Sequence, residues 1–569
     1  MAKKPANLIY SVDEKPPLTT LLLLGLRHVS VLSVGWIFVV VIVTGIGGTS
    51  EQAENVIQIS MIVSGIATIL QAHTKGPVGS GYLCPLSCGP AYIAASISAG
   101  KAGGLPLVFG LLIASGLFEA LLSRVIQRLR ALFPPEVTGL VVLMVGIELI
   151  VLAAPRFLGF TGPGSSRNLL AIAVALLTLA IMIGPTVWSE GMLRLYPVLL
   201  GLVFGYLSAY VVGLLTWPQL NAVLAAPLIN LPTRAQSGWA FSFALLPAFL
   251  IASLASTLKA VGDLSLCQKI NDAEWKRTDM KLVSGGVLAG SICTIGAGLL
   301  GGAGQSTFSS NVGLSIATKA TSRHVALPCG IILILMAFCP KLSAVFAVMP
   351  QPVIGAILVY VACFMILAGV QVMTSRILDA RKTFVVGIAL IFGLSVRMVP
   401  GLYTDVPEAL SSLFSSSLSL ATVLVVVLNV LLRIGIRTRV VLELEPRADS
   451  TEKIFTFMQV QGGAWGARKE VIDRATYAIN EFMEAAGMLD LARGKIAAEV
   501  RFDEFNLDVD LRYDGVLMEF PQERPTQGDL LSDETGVAQL AGFLIRNYVD
   551  RIKSDCVDGH CRVQFHFDH

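Results

Sequence analysis

From about Leu21 to Ile436, long apolar runs follow one another, separated by short polar or glycine-rich stretches. From about Arg437 to His569 charges are frequent, and no run approaches the roughly 20 apolar residues of a spanning helix. Fourteen hydrophobic segments are legible, starting near residues 19, 53, 88, 105, 137, 168, 193, 240, 281, 311, 324, 352, 380 and 416. The pattern predicts an N-terminal tail over 1–18, an all-α polytopic membrane domain over 19–436 and a soluble α/β domain over 440–569. Two segments are too short to cross alone. One follows Ser87-Cys88-Gly89-Pro90 and the other follows Ser309-Ser310-Asn311. Glycine-rich runs precede both: Gly79-Ser80-Gly81, and Gly301-Gly302-Ala303-Gly304-Gln305. Irregular backbone at membrane depth survives only where it is buried in protein or lines a watery cavity. A matching pair of interrupted segments therefore points to a transporter's binding site.

A repeated phrase supports the pairing. Pro134-Pro135-Glu136-Val137-Thr138-Gly139 opens one apolar run, and Pro350-Gln351-Pro352-Val353-Ile354-Gly355 opens another. The phrase predicts a duplicated unit, with repeats at about 19–215 and 240–436. Seven segments per repeat is an odd number, so the halves are expected to be inverted relative to each other.

Composition agrees. The chain has 569 residues, 54% hydrophobic and 14% charged, with mean hydropathy +0.72. Soluble domains are about 25% charged. The net charge of +3 and the lack of a basic cluster argue against a nucleic-acid partner. Basic residues gather after even-numbered segments: Lys75; Arg124, Arg128 and Arg130; Lys269, Lys276, Arg277 and Lys281; Lys319 and Arg323; Arg376, Arg381 and Lys382; Arg433, Arg437 and Arg439. By the positive-inside rule both termini are expected in the cytoplasm, the protein lying in the cell (inner) membrane. Seven of the nine cysteines sit in apolar context without metal-ligand spacing. Cys556, His560, Cys561, His566 and His569 imitate a metal site, but a turn at Asp558-Gly559 leading into an edge strand explains them as well. No nucleophile–base pair or phosphate loop is evident, so neither enzyme activity nor a cofactor is expected.

These residues together resemble the nucleobase–ascorbate transporter family, the xanthine/uracil permeases. Arg27-His28 is similar to the family's Gln-His pair. The two Pro–Gly strings resemble its openings of helices 5 and 12. Asn311-Val312-Gly313 with Thr318 resembles its signature of Asn-x-Gly with a Thr five residues after the Gly. Lys259 to Asp263 stands where the family has Glu, three residues and Asp. The resemblance implies a uracil-permease-like core domain of helices 1–4 and 8–11 and a gate domain of helices 5–7 and 12–14. It also implies substrate between the two half-helices and a homodimer in membrane lipid. Two positions depart from the family: Lys259 replaces a base-binding carboxylate, and Ser310 stands where Glu or Gln is usual. A donor-only ammonium cannot imitate an acceptor-only carboxylate.

The candidate substrate-binding residues are Lys259, Ser310, Asn311, Gly89, Tyr92 and Phe308. The two aromatics occupy comparable places beside the breaks and offer faces for a planar base. Lys259 pairs with Asp263 at i+4, attracts an anionic or acceptor-rich substrate such as urate, or replaces the coupling cation with a fixed positive charge; ionised near the bilayer centre, it costs on the order of 3 kcal/mol. Asp263, His28, Glu119, Glu148 and Thr318 are candidates for coupling or support, with H+ or Na+ as the coupling ion. The expected function is secondary active transport of a purine-like or related planar solute of the xanthine, urate or uracil class. A small-anion or carboxylate carrier is the alternative, as is a transport-derived sensor whose tail reports to a cytoplasmic partner.

In the tail, Arg468–Ala486 and Gly536–Ile552 read as amphipathic helices. Glu499–Asp510, with Val500, Phe502, Phe505, Leu507, Val509 and Leu511, reads as a strand, and Cys561–Phe567 as another. The order faintly resembles histidine-kinase-type ATPase domains. Glu481 falls in the matching helix, but Ala485 stands where that family has its Asn.

Overall fold

The computed structural model describes residues 3–127, 134–160, 168–189, 193, 196–232, 238–275, 278–375, 378, 380–403, 405–407, 413–414, 416–432, 434, 439–446, 451–503, 506–524 and 534–569. Arg128, Arg130, Lys276, Arg277, Arg376, Arg433, Arg437 and Phe505 lie outside them. The chain divides into two units, Met1–Met373 with Val386–Val427, and Thr374–Val385 with Leu428–His569.

The first unit is helical: α1 (Leu18–Leu32), α2 (Val34–Gly45), α3 (Ser50–Gln71), α4 (Ile93–Val125), α5 (Pro135–Phe157), α6 (Leu169–Trp188), α7 (Pro197–Val211), α8 (Trp217–Ala225), α9 (Leu246–Asn271), α10 (Met280–Leu300), α11 (Ser309–Ala317), α12 (Ala326–Ala337), α13 (Pro340–Ala347) and α14 (Gln351–Met373). Two further helices, α15 (Ala380–Met398) and α16 (Ser417–Leu432), run across the division in the chain. Strands β1 (Leu86–Cys88) and β2 (Gln305–Thr307) form an antiparallel pair. Among the described residues, eight helical stretches are long and apolar enough to span a bilayer, or nine if α12 and α13, bent by 81°, form one span. The segments predicted at 88 and 105 run through one stretch, α4, interrupted by non-helical backbone at Gly103 and Gly104. The segment at 311 is the nine-residue α11, too short to cross. Helix α8, opened by a capping box at Thr216 and Gln219, matches none of the predicted segments.

Glycines explain the closest crossings. A methyl on Gly139 of α5 would stand 2.5 Å from the Met373 nitrogen and 2.7 Å from the Gly369 oxygen of α14. A methyl on Gly355 of α14 would stand 2.4 Å from the Phe157 nitrogen of α5. The glycine closing each Pro–Gly string thus meets the far end of the other string's helix, and the pair is antiparallel. Gly65 of α3 and Gly330 of α12 meet in the same way, each within 2.6 Å of the other's oxygen were a methyl added. Gly116 and Gly298 serve the α4–α10 crossing.

The N-terminal residues form a strap. Ile9 and Tyr10 donate their N–H groups to the Lys319 oxygen at 2.8 and 3.2 Å, and Thr321 donates to the Tyr10 oxygen at 3.0 Å. Arg323 continues the strap through Val12 and its ion pair with Asp13. Leu8 and Val12 are buried by it.

The second unit carries β3 (Arg439–Leu444), α17 (Thr451–Trp465), α18 (Lys469–Met488), β4 (Ile496–Phe502), β5 (Asn506–Asp514), α19 (Glu534–Tyr548), β6 (Arg551–Val557) and β7 (His560–Asp568). The strands make an antiparallel sheet in the order β3-β4-β5-β7-β6. The predicted strand Glu499–Asp510 is in fact a hairpin, closed where Asn506 donates its N–H to the Asp503 carboxylate at 2.7 Å. The predicted helix to Ile552 ends at Tyr548, and Ile552 belongs to β6. Odd positions of β5 and β7 and even positions of β4 bury apolar side chains against α18, whose Ile479 and Phe482 fill the core. The opposite face is a charge lattice. Burial pushes the Glu499 carboxyl up, but hydrogen bonds from Arg501 and Arg439 outweigh it and hold it below the usual carboxylate range. Asp510 is held low in the same way by Arg562 and Arg512. Cys556 and Cys561 are joined by a disulfide beside the predicted Asp558-Gly559 turn, whose φ angles are 52° and 83°. No metal-holding cluster occurs among the described residues.

Candidate functional site

Two glycine-rich segments bring β1 and β2 together inside the helical unit. Helix α10 ends at Gly301, whose φ of 95° suits glycine and turns the chain toward β2. Leu86 faces Thr307, Ser87 faces Ser306 and Cys88 faces Gln305. The Gly89 N–H donates to the Gly304 oxygen at 2.8 Å, and the Phe308 N–H to the Pro85 oxygen at 3.1 Å, closing both ends of the ladder. A helix starts immediately after each strand: a 3-10 turn, Pro90–Tyr92, leading into α4, and α11. The crossing therefore presents two helix N-termini, each a positive dipole end.

The flanking side chains are fixed by specific contacts. A methyl on Gly89 would stand 2.7 Å from Ser306 Cβ, and one on Gly304 would stand 2.6 Å from the Tyr92 ring. Glycine at both positions lets the strands meet and seats the buried Tyr92 ring. Gln305 is held by Ser64, which donates to its Oε1 at 2.9 Å, and donates its own Nε2 to the Ala303 oxygen at 2.9 Å. Asp263 of α9 accepts from Lys259 Nζ at 3.3 Å and from Thr307 Oγ1 at 2.6 Å. The Lys259 ammonium also donates to the Thr307 backbone oxygen. Both partners are nearly enclosed, at 6% and 9% side-chain exposure. The last residue of β2 is thus gripped by both members of an ion pair. Lys259 Nζ also lies 6.0 Å from the centre of the Phe308 ring.

His28 of α1 reaches α11. Its Nδ1 lies 2.8 Å from Asn311 Oδ1; with the amide oxygen accepting, the imidazole carries its proton on Nδ1. Asn311 is fully buried, and its Nδ2 donor meets no acceptor among the described residues.

The structure brings Lys259, Asp263, Asn311, His28, Gly89 and Phe308 to the crossing, and Ser310 is exposed in the first turn of α11. The predicted equivalence of Tyr92 and Phe308 does not hold. Phe308 follows its strand directly, as Gly89 follows β1, whereas Tyr92 lies four residues beyond Cys88, is 1% exposed and packs behind Gly304. Thr318 caps the far end of α11, donating to the Leu314 oxygen at 2.8 Å. Glu148 pairs with Arg397 of α15 at 2.7 Å. Glu119 accepts from Thr257 at 3.3 Å. Thr307 and Gln305 were missed in the sequence, although their place after a glycine run and before the short α11 was a usable signal.

Opposed half-helices inside a bundle of spanning helices define a membrane permease rather than an enzyme. A family model described as the Permease family, that of the xanthine/uracil permeases, matches residues 19–402, and the chain belongs to that family. It is an integral membrane protein. A Clostridium perfringens (strain 13 / Type A) protein assigned as a purine permease is 32% identical over 434 residues, covering 75% of this chain and 93% of the relative. The xanthine permease XanP of Escherichia coli (strain K12) is 26% identical over 443 residues, covering 75% and 95%. Among solved structures, murine Solute Carrier 26 family member A9, an anion transporter in its inward-facing state, is similar in fold. Its TM-score is 0.51 at 11% identity, covering 77% of this chain and 72% of that one.

Proposed function

We propose that the chain is a secondary active carrier of an acceptor-rich, purine-like nucleobase of the xanthine class, working by alternating access and driven by a coupled cation. The observation that carries the reading is the buried Asn311 amide at the tip of α11, oriented by His28 with its Nδ2 donor unspent. Lys259 adds to it. An ammonium has three donors, and two are committed to Asp263 and Thr307. The third N–H, the Asn311 amide and the positive N-terminal end of α11, with Ser310 at its edge, suit the carbonyl oxygens of a xanthine-like ring. Gly89 lets β2 approach, and Phe308 offers the ring face. Because Asp263 neutralises Lys259, the site favours a neutral planar base over a small inorganic anion.

The two halves act as inverted repeats. Support comes from paired crossings: α5 with α14 across both Pro–Gly strings, and α3 with α12 matched by α10 with α4. The membrane domain covers 19–436, with both termini in the cytoplasm, and the domain at 440–569 serves regulation or dimer contact. The test is uptake of radiolabelled xanthine by cells lacking their own carriers, with uracil, urate and sulfate as competitors. Saturable uptake blocked by purines but not by sulfate supports the reading; uptake blocked by sulfate alone overturns it.

A further inference from the structure

The acidic side chains buried in the helical unit are not alike. Asp263 is paired with Lys259, and Glu148 with Arg397. Glu136 sits in the first turn of α5, where the helix dipole favours a carboxylate. Glu119, in the C-terminal third of α4, is 2% exposed. Its Oε1 accepts from Thr257 Oγ1 of α9 at 3.3 Å, and the Tyr92 phenol is a second hydrogen-bonding neighbour of the enclosed carboxyl.

Among the described residues, the surrounding elements supply no cation to it: Lys101 and Arg124 of α4, Lys269 of α9 and Lys281 of α10 are exposed. The 3-10 turn after β1 contributes the Tyr92 phenol, and α10 contributes the Cys293 thiol. Helix α9 contributes the Thr257 hydroxyl, and its Lys259 and Asp263 are closed on each other. Helix α2 has no titratable side chain. An ionised carboxyl here would be a buried charge with no counter-ion, which proteins avoid by neutralising the group. Hydroxyls of Ser115, Ser256 and Thr294 lie around the Tyr92 phenol beside it. Ser256 and Thr294 also touch the Gln305 backbone of β2, linking this polar shell to the substrate crossing.

We infer that Glu119 is a buried proton-binding site, and that the proton it takes up and releases is the ion coupled to transport. This deepens the carrier reading above and rests on it. In this conformation the carboxyl is neutral. When the moving helices open it to water on the other side it gives up the proton, COOH becoming COO⁻ and H⁺, with no other reactant. The Tyr92 turn, which joins β1 of the substrate crossing to α4, also contacts Glu119, so a movement of one is felt by the other.

The test uses the full chain in proteoliposomes with xanthine. With one proton per substrate, an inside-alkaline gradient of one pH unit sustains about tenfold accumulation. The wild type is expected to reach it. Glu119→Gln is expected to lose gradient-driven accumulation, while xanthine exchange persists and ceases to vary with pH. Glu119→Asp, which still titrates, is expected to accumulate with a displaced pH profile. Accumulation by Glu119→Gln equal to wild type, or wild-type accumulation driven by sodium and indifferent to pH, overturns the inference. Infrared difference spectra of wild type against Glu119→Gln read the proton without any substrate. A protonated-carboxyl band at neutral pH, absent from the variant, is expected, and no such band refutes the inference. Absence of xanthine exchange by the wild type while that band is present would refute the substrate reading and leave the proton site standing.

Discussion

Removing one member of the Lys259–Asp263 pair has a calculable consequence. The charges lie 3.3 Å apart at 6% and 9% side-chain exposure, so their attraction is about 5 kcal/mol at an effective dielectric of about 20. Desolvation of both groups offsets much of that, so the pair as a whole adds little net stability. Breaking it is different. Asp263→Asn leaves Lys259 buried without a counter-charge, at a cost of about 3–5 kcal/mol. That cost is roughly a 10²- to 10³-fold or larger shift toward unfolded protein, at about 1.4 kcal/mol per factor of ten. The double variant Lys259→Met with Asp263→Asn removes both charges and keeps an oxygen for the Thr307 hydroxyl, so it is expected to lie close to wild type. Purified protein in detergent, compared by thermal and denaturant unfolding across the four-member cycle, reads the coupling directly. The reasoning is refuted if Asp263→Asn alone is no less stable than the double variant.

Other outcomes follow from single features. Asn311→Ala is expected to fold and to raise the Kd for xanthine about 5- to 30-fold, the value of one to two kcal/mol of lost hydrogen bonding; isothermal titration measures it. Gly369→Leu is expected to abolish the folded yield by forcing α14 off α5, whereas Gly262→Ala, where a methyl meets nothing within 4 Å, is expected to express normally; size-exclusion chromatography separates the two. In the tail, Glu499 and Asp510 have folded pKa values below their unfolded ones, so their arginine contacts stabilise at neutral pH and lose their effect as pH falls through those lowered values. Hydrogen exchange in β4 and β5 is therefore expected to quicken on acidification, and less so in Asp510→Asn. Deleting residues 3–15 removes the strap over Lys319 and Thr321 and is expected to lower the melting temperature.

The sequence was most informative where a relation is local or repeated. Lys259 and Asp263 are one helical turn apart, so their pairing was legible from spacing alone. The Pro–Gly strings marked a duplicated feature, although only the structure shows that each glycine lets a helix end approach its counterpart. The broken segments were visible because glycine runs interrupt apolar ones. The tail hairpin was missed because Val500 and Phe502 keep alternation alive up to the turn; the signal was the shift from even positions to the odd Leu507, Val509 and Leu511. The strap went unseen because its partners, Lys319 to Arg323, lie some 300 positions away. Likewise, the isolation of Glu119 depends on which faces of α4, α9 and α10 meet, a relation that helical periodicity does not specify.

The most direct test of the central claim is thermal-shift binding of the purified protein to xanthine, uracil, urate, sulfate and bicarbonate. Stabilisation by xanthine that disappears in Asn311→Ala is the predicted result. Stabilisation by sulfate or bicarbonate alone, or a xanthine shift that survives Asn311→Ala undiminished, would contradict a nucleobase site at the tip of α11.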